Sequence, residues 1–165
     1  MLSTLDAPHL EFAFAIRLWF TRTSKVEDLP GGGWRSAVYL DSGEVEGPRM
    51  KGRAVPGSGG DYAHFRPDDT AVFDARYLLE TDDGHTIYMQ NKGFLWGREP
   101  GTMDRLRAWA FSGGDPVPHA DYYLRAQPSF EAPLNSPYHW LTRHVFIGVG
   151  ERKPDGNYVK YYALT

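Results

Sequence analysis

Cysteine is absent from the 165-residue sequence, which excludes disulfides and thiolate chemistry. No apolar run reaches the roughly 20 residues that a transmembrane helix needs. Glu11 and Arg17 interrupt the apolar stretch near the N-terminus, so we expect no signal peptide. The chain has 18 basic and 21 acidic residues and a net charge of −3, so it lacks the excess of basic residues that is typical of nucleic-acid-binding proteins. We therefore expect a cytoplasmic protein with neither a membrane nor a nucleic acid as its partner.

Aromatic residues, by contrast, are abundant: 10 Tyr, 9 Phe and 5 Trp make up 15% of the chain. Such side chains favour half-buried β-sheet surfaces, and they also line pockets for apolar ligands. The length predicts one domain that spans residues 1–165, which is enough chain for one hydrophobic core.

Alternating apolar residues predict β-strands along most of the chain. The longest alternation runs from Leu10 to Phe20, where every second residue is large and apolar. Shorter strand-like patterns follow at 36–40, 49–55, 72–93, 122–126, 144–149 and 158–164. Residues 98–119 break this rhythm, and a short helix or an ordered loop is predicted near 102–112. Several strands at short spacing with little helix indicate an all-β barrel or sandwich.

The segment from Val72 to Gly93 has the pattern of a β-hairpin, and Asp83-Gly84 is a preferred pair for a two-residue turn. This turn would place Arg76 opposite Asn91, on the same face of the hairpin. Because Gln90 belongs in water, the face that carries Asn91 is predicted to point inward. The inward polar and sulfur-containing side chains are then Asp74, Arg76, Met89 and Asn91.

An inward pair of Asp74 and Arg76 has little energetic reason to exist in a dry core. Each buried ion loses several kcal/mol of hydration, whereas an exposed pair contributes only about 0–1 kcal/mol. The pair is easier to understand if the interior is a wet or ligand-filled cavity, which a small barrel can hold. Two alternatives stay open: the pair plugs one end of the barrel, or a three-residue loop with a bulge shifts the register.

Six segments, in order along the chain, resemble a known family: "EGPRMKG" (46–52), "GGDY" (59–62), "DARYLLETDDGHTIYMQNKG" (74–93), "YYLRAQPSFEA" (122–132), "YHWL" (138–141) and "VFIGVG" (145–150). Together they are similar to the bacterial and fungal DUF3237 family, also called UPF0311, from about Arg35 onward. The resemblance implies a single closed, mainly antiparallel, lipocalin-like β-barrel, and it implies no particular activity. Thr142 departs from the Asn that the family usually shows, and residues 98–119 are longer than the usual connection. If that segment covers the barrel mouth, substrate choice would be particular to this protein.

Asp61 is the first candidate for chemistry, because it follows two glycines that let a backbone approach a ligand closely. Its alternative role is that of a turn-forming residue, and the family resemblance favours the functional one. Tyr123 and Arg125 share a face of one strand, where they could donate a proton and stabilise an oxyanion. Alternatively, Tyr123 lines the barrel and Arg125 pairs with Glu131, which is itself a second candidate base.

Tyr138 and Trp140 follow a proline-containing loop and complete the predicted ligand site, with a core position as the alternative for Trp140. The six His residues, at 9, 64, 85, 119, 139 and 144, lack the spacing of metal-ligand motifs. Neither glycine-rich stretch matches a phosphate or dinucleotide fingerprint. We therefore expect no metal, nucleotide or flavin cofactor.

The sequence thus predicts a cofactor-independent enzyme of the proton-transfer lyase, isomerase or cyclase type. Its substrate would be a small, largely apolar or aromatic molecule inside the barrel. The predicted catalytic residues are Asp61, Arg76, Tyr123, Arg125 and Glu131, and the predicted ligand-binding residues are Asp74, Met89, Asn91, Tyr138 and Trp140. The alternative is a non-catalytic, lipocalin-like carrier or sensor. Aromatic residues on the predicted outer face of the hairpin also lead us to expect a homo-oligomer, a dimer or larger.

Overall fold

The computed structural model describes residues 6–165, which form nine β-strands and one α-helix. The strands are β1 (Leu10–Val26), β2 (Trp34–Glu46), β3 (Gly52–Ala54), β4 (Gly60–Phe65), β5 (Ala71–Thr81), β6 (Thr86–Gly97), β7 (Tyr122–Glu131), β8 (Phe146–Lys153) and β9 (Gly156–Leu164). The helix, α1, spans Thr102–Ser112, and short 3₁₀ turns cover 119–121 and 139–143. Within this described part, no helix has the length and apolar character needed to cross a membrane.

The strands form a closed antiparallel barrel with eight strand positions. The order around the sheet is β1-β9-β8-β7-β6-β5-β3-β2-β4, and β1 also pairs with β2, which closes the ring. Both β3 and β4 pair with β2 on one side and β5 on the other, so they occupy one position in succession. The closed barrel predicted from the sequence is confirmed, together with one helix where residues 98–119 break the β pattern.

The β5–β6 hairpin has a three-residue loop, and this corrects the predicted register by one residue. The Thr81 N–H donates to the His85 carbonyl at 2.9 Å, and Gly84 closes the loop with φ of 87°. Asn91 therefore lies opposite Ala75 rather than Arg76. The observed register is favoured because it buries more apolar surface: it turns the apolar residues at every second position of β5 toward the barrel interior.

The corrected register reverses the two faces of β5. Asp74 and Arg76 lie on the outer surface, so their predicted inward orientation is wrong, while Phe73, Tyr77 and Leu79 are buried inside the barrel. Phe73 and Tyr77 are among the aromatic residues of the predicted outer face on which the expected homo-oligomer rests. The homo-oligomer stays a prediction, but the outer face of the hairpin no longer supports it.

One end of the barrel is packed solid and the other is hollow. The packed end is filled by large buried side chains, namely Phe14, Ile16, Leu79, Ile87, Met89, Phe130, Phe146 and Tyr161. Further along the same strands the inward residues become small, as at Ala63, Ala71, Ala75, Ala126 and Gly150. A barrel of eight strands has room for either packed side chains or one small ligand, and here the small residues leave space for a ligand.

Helix α1 lies at the hollow end, where Arg107, Ala108, Phe111 and Ser112 contribute to the cavity wall. Its opposite face, with Met103, Leu106 and Ala110, is buried against the protein, as its helical spacing predicts. Gly113 ends the helix with φ of 68°, a left-handed conformation that glycine adopts without strain. Residues 98–119 thus do cover the barrel mouth.

Candidate functional site

The hollow end of the barrel encloses a cavity of about 400 Å³. This volume falls within the range of roughly 300–1,000 Å³ that is usual for small-molecule sites. Most of the wall is apolar, and its aromatic members are Phe20, Trp34, Phe65, Phe73, Tyr77 and Phe111. Among the polar side chains in the wall, four from β4, β5, β6 and β8 are of most interest for chemistry, namely Asp61, Tyr77, Asn91 and Arg152.

Asp61 places a carboxylate in the cavity wall. Its Oδ1 accepts a hydrogen bond of 3.0 Å from the Asp74 N–H, at a point where the β4–β5 ladder is interrupted between Asp61 and His64. The carboxylate thereby replaces a backbone acceptor, and its Oδ2 has no hydrogen-bond partner among residues 6–165. Asp61 retains some accessible surface although protein surrounds it on nearly all sides, because that surface faces the cavity.

The environment makes Asp61 a stronger base than an ordinary aspartate. Burial raises the pKa of Asp61 to about 6, despite the opposing effects of the Asp74 N–H and the Arg152 charge. At neutral pH the group is still mainly ionised, so it combines a free carboxylate oxygen with increased proton affinity. These are the properties of a general base.

Arg152, on β8, is the cation of the cavity. The residue is buried, and its NH1 donates to Asn157 Oδ1 at 2.9 Å, while its backbone N–H donates to the Tyr122 hydroxyl at 2.8 Å. Its Nε has no hydrogen-bond partner in residues 6–165. Burial lowers the pKa of Arg152, partly offset by Asp61, but a guanidinium remains protonated at neutral pH.

Asp61 and Arg152 face the same cavity without forming an ion pair. They lie close enough for each charge to shift the pKa of the other, yet no contact within 4.0 Å joins them among the ion pairs of residues 6–165. Two buried opposite charges normally gain most by direct contact. Both side chains instead line the cavity wall, where each can face a ligand.

Tyr77 and Asn91 form the cavity floor, and the fully buried Tyr161 packs behind them. Asn91 Nδ2 donates to the Tyr161 hydroxyl at 3.0 Å, while Asn91 Oδ1 has no partner in the described chain. The Tyr77 hydroxyl lies near Tyr161 but also lacks a well-formed hydrogen bond there. Burial raises the pKa of Tyr77, and the Asp61 charge adds to the effect, so this phenol stays protonated. Unpaired buried polar atoms are costly, and because both atoms lack accessible surface, a ligand in the cavity does not contact them in this structure.

Asp61 and Asn91 are the two sequence-predicted residues that the structure brings into the cavity. Asp74 and Arg76 form an exposed ion pair of 3.2 Å on the outer face, and Asp74 also accepts a hydrogen bond from Gln90. The carboxylate and guanidinium expected inside the barrel are present, but they come from Asp61 and Arg152 instead.

Tyr123, Arg125 and Glu131 lie outside the cavity, which corrects their predicted position. Tyr123 stacks on Trp96 with ring centroids 5.2 Å apart, and the Arg125 guanidinium lies 5.0 Å from the centre of the Tyr123 ring. Glu131 is exposed at the end of β7. The inward face of β7 carries Tyr122 instead, because the alternation of this strand places the larger apolar surface inside.

Met89, Tyr138 and Trp140 also lie away from the cavity wall. Met89 is fully buried in the packed end of the barrel. The Tyr138 hydroxyl donates to Asp83 Oδ1 at 2.8 Å and so joins its loop to the β5–β6 turn. Trp140 packs against the core, with the Arg49 guanidinium 4.1 Å from its ring centre. The core position considered for Trp140 is the one observed.

Sequence reasoning missed Arg152 and Tyr77, although both left a signal. The strand β8 alternates Phe146, Gly148, Gly150 and Arg152 on one face, so two inward glycines precede an inward cation. Tyr77 belongs to the apolar alternation of β5, which the assumed turn placed outside. In residues 6–165 no group of three or more His, Asp or Glu side chains is arranged to hold a metal ion.

Comparisons with known proteins agree with this architecture. The family model described as "Protein of unknown function (DUF3237)" matches residues 8–164. A UPF0311 protein from Rhodopseudomonas palustris strain TIE-1 is 33% identical over 141 residues, which cover 82% of this chain and 87% of that protein. A crystal structure of a conserved protein of unknown function from Rhodopseudomonas palustris is 26% identical, with a TM-score of 0.87 over 98% of this chain and 100% of that one. An enzyme from Penicillium herquei shares the fold, with 19% identity and a TM-score of 0.71 over the whole of both chains.

Proposed function

This chain belongs to the DUF3237 family, and we propose that it is a cofactor-independent enzyme that moves a proton on a small molecule held inside its barrel. The reaction would be of the lyase, isomerase or cyclase type. The observation that carries the proposal is the pair of Asp61 and Arg152, a buried carboxylate and a buried guanidinium that face one cavity without direct contact. The Penicillium herquei protein of the same fold is an enzyme, which is consistent with catalysis in such a barrel but does not define a reaction here.

Asp61 would act as the base. Its Oδ1 is held by the Asp74 N–H, which leaves Oδ2 to take a proton from an acidic C–H or O–H of the substrate. Its pKa of about 6 lies close to physiological pH, where a general base is most effective. A positioned base of this kind contributes on the order of 10²–10⁴-fold to a rate.

Arg152 would stabilise the negative charge that the substrate develops as its proton leaves. Asn157 and Tyr122 hold this residue in place, and it lines the cavity with its positive charge. Such fixed donors contribute roughly 10²–10³-fold each in enzymes where they have been removed. Tyr77 lines the same cavity and stays protonated, so it adds no third charge there.

The test is deuterium exchange into 2-tetralone, an enolisable bicyclic ketone, followed by proton NMR in D₂O at pH 7.5. We expect the protein to accelerate exchange at the carbons next to the carbonyl. Asp61→Asn should reduce the acceleration by at least about 10²-fold, the lower end of the range for general bases. Arg152→Gln should reduce it as well. Arg76→Gln and Glu131→Gln remove charged groups outside the cavity and should leave the rate unchanged.

The result that would contradict the proposal is exchange that survives Asp61→Asn undiminished, or a bound ketone that exchanges no faster than in buffer. Binding without exchange would instead support the alternative function, a lipocalin-like carrier with the same cavity. Native mass spectrometry of protein purified from cells complements the test, since a co-purified molecule would identify the substrate class directly.

A further inference from the structure

We propose that the cavity selects a neutral aromatic ligand with a weakly acidic hydroxyl group, a phenol or an enol, and rejects the carboxylate of the same shape. The inference rests on the proposed function in taking Asp61 and Arg152 as the two charges that a ligand meets. It adds the chemical class of that ligand, which follows from the charge, the size and the aromatic wall of the cavity.

The two buried charges in the cavity wall sum to zero. Asp61 and Arg152 are the ionisable carboxylate and guanidinium deep in the wall, and they neutralise each other across the space between them. A ligand carboxylate would place a second anion beside Asp61, and like charges in a buried interface cost several kcal/mol. A neutral ligand leaves the net charge of Asp61 and Arg152 at zero, so these two residues favour an uncharged ligand group beside them.

The two cations at the mouth do not change this balance. Arg107 is paired with Asp69 at 3.2 Å and with Asp104 at 2.6 Å, so its charge is already compensated. Lys25 is exposed at the rim, with its ammonium 5.1 Å from the centre of the Trp34 ring. An exposed ammonium is well hydrated and offers a ligand anion little net stabilisation.

Size and wall chemistry indicate an aromatic ligand of about two rings. If each non-hydrogen atom fills the volume of a liquid water molecule, roughly 30 Å³, the cavity holds roughly a dozen such atoms. Aromatic side chains contribute much of the wall, and flat rings pack well against them.

A hydroxyl group between the two charges can ionise without changing the total charge. The ligand O–H bond breaks, its proton moves to Oδ2 of Asp61, and the ligand oxygen keeps the electron pair as an oxyanion beside Arg152. Asp61 becomes neutral at the same time, so the charge inside the cavity stays at zero before and after the transfer. A carboxylate ligand has no proton to give and cannot make this exchange.

Isothermal titration calorimetry with three naphthalene probes at pH 8 tests the selectivity without any turnover. The probes are 2-naphthol, which is neutral and acidic, 2-methoxynaphthalene, which is neutral without an acidic proton, and 2-naphthoate, which is anionic. We expect wild-type protein to bind 2-naphthol at least about tenfold more tightly than 2-naphthoate, because of the like-charge cost. We also expect it to bind 2-naphthol more tightly than the methyl ether.

Asp61→Asn should reverse the charge selectivity, because the cavity then carries the single positive charge of Arg152. We expect this variant to bind 2-naphthoate about tenfold more tightly than wild type does. Arg76→Gln changes a charge on the outer surface and should leave all three affinities unchanged. Ala75→Leu fills the cavity and should abolish binding of every probe, which locates the binding inside the barrel.

Equal or tighter binding of 2-naphthoate by wild-type protein would overturn the inference, and so would a charge selectivity that Asp61→Asn leaves unchanged. Failure of all three probes to bind folded wild-type protein would overturn the aromatic ligand class. These outcomes are independent of the exchange assay: selective binding without proton exchange would refute the proposed function alone, and exchange without charge selectivity would refute this inference alone.

Discussion

Asp61→Asn should stabilise the protein at pH 8, although it removes the group assigned as the base. Asparagine has the same shape and keeps an oxygen that can accept the Asp74 N–H. It removes the buried negative charge, which is the destabilising feature. The variant therefore measures how much stability the fold gives up to hold an ionised carboxylate in its cavity, a common cost of functional sites.

The magnitude follows from the two pKa values of Asp61. A carboxyl with a pKa of about 6 in the folded chain and 3.8 in the unfolded chain loses about 3 kcal/mol of stability when ionised. Because the folded state holds the proton more tightly, this cost is absent below about pH 3.8, where both states are protonated. It grows between pH 3.8 and 6 and is complete above pH 6, where both states are ionised.

The measurement is urea unfolding and thermal unfolding of wild type and Asp61→Asn at pH 8 and pH 4. At pH 8 we expect a gain of up to about 3 kcal/mol, which corresponds to roughly 6–12 °C in Tm for a chain of this size. At pH 4 the gain should fall below about 1 kcal/mol, since wild-type Asp61 is then mainly protonated in the folded state. Because solvent enters at the cavity mouth and screens the charge, about 3 kcal/mol is an upper limit for the gain at pH 8.

Asp74→Asn is the matched control, because it makes the same chemical change on the outer face next to Arg76. An exposed pair contributes only about 0–1 kcal/mol, so this variant should be unchanged or slightly less stable. The reasoning fails if Asp61→Asn is no more stable than wild type at pH 8. It fails equally if the gain is as large at pH 4 as at pH 8, since the cause would then not be the charge.

Two further predictions concern the cavity floor and the hairpin loop. Tyr77→Phe removes a buried hydroxyl that lacks a partner, so urea unfolding should show unchanged stability or a gain of about 1 kcal/mol. Tyr161→Phe loses the hydrogen bond from Asn91 and should cost about 1 kcal/mol. A larger loss for Tyr77→Phe than for Tyr161→Phe would show that the Tyr77 hydroxyl already has a hydrogen-bond partner. Gly84→Ala forces alanine into a loop position with φ of 87° and should cost about 1 kcal/mol, while Gly31→Ala, equally free of neighbours and without positive φ, should be neutral. Equal effects at the two glycines would contradict the three-residue loop.

The sequence by itself determined the fold class, because period-two alternation is a local property that can be read along one strand. The strand β1, the helix near 102–112 and a closed barrel all followed from such patterns and from the family resemblance. Asn91 was also assigned to the interior from the alternation of its strand, and Asp61 was selected from its neighbouring glycines and the family resemblance. For these features, neighbours within a few positions along the chain are enough to indicate the local structure and the direction of the side chain.

Only the tertiary structure decided which charges lie inside the barrel. A hairpin loop that is longer by one residue turned Asp74 and Arg76 outward, and it brought Tyr77 inward. Side chains alternate between the two faces of a strand, so a shift of one residue exchanges the faces completely. Asp61 and Arg152 are far apart in sequence, and only closure of the sheet sets them across one cavity.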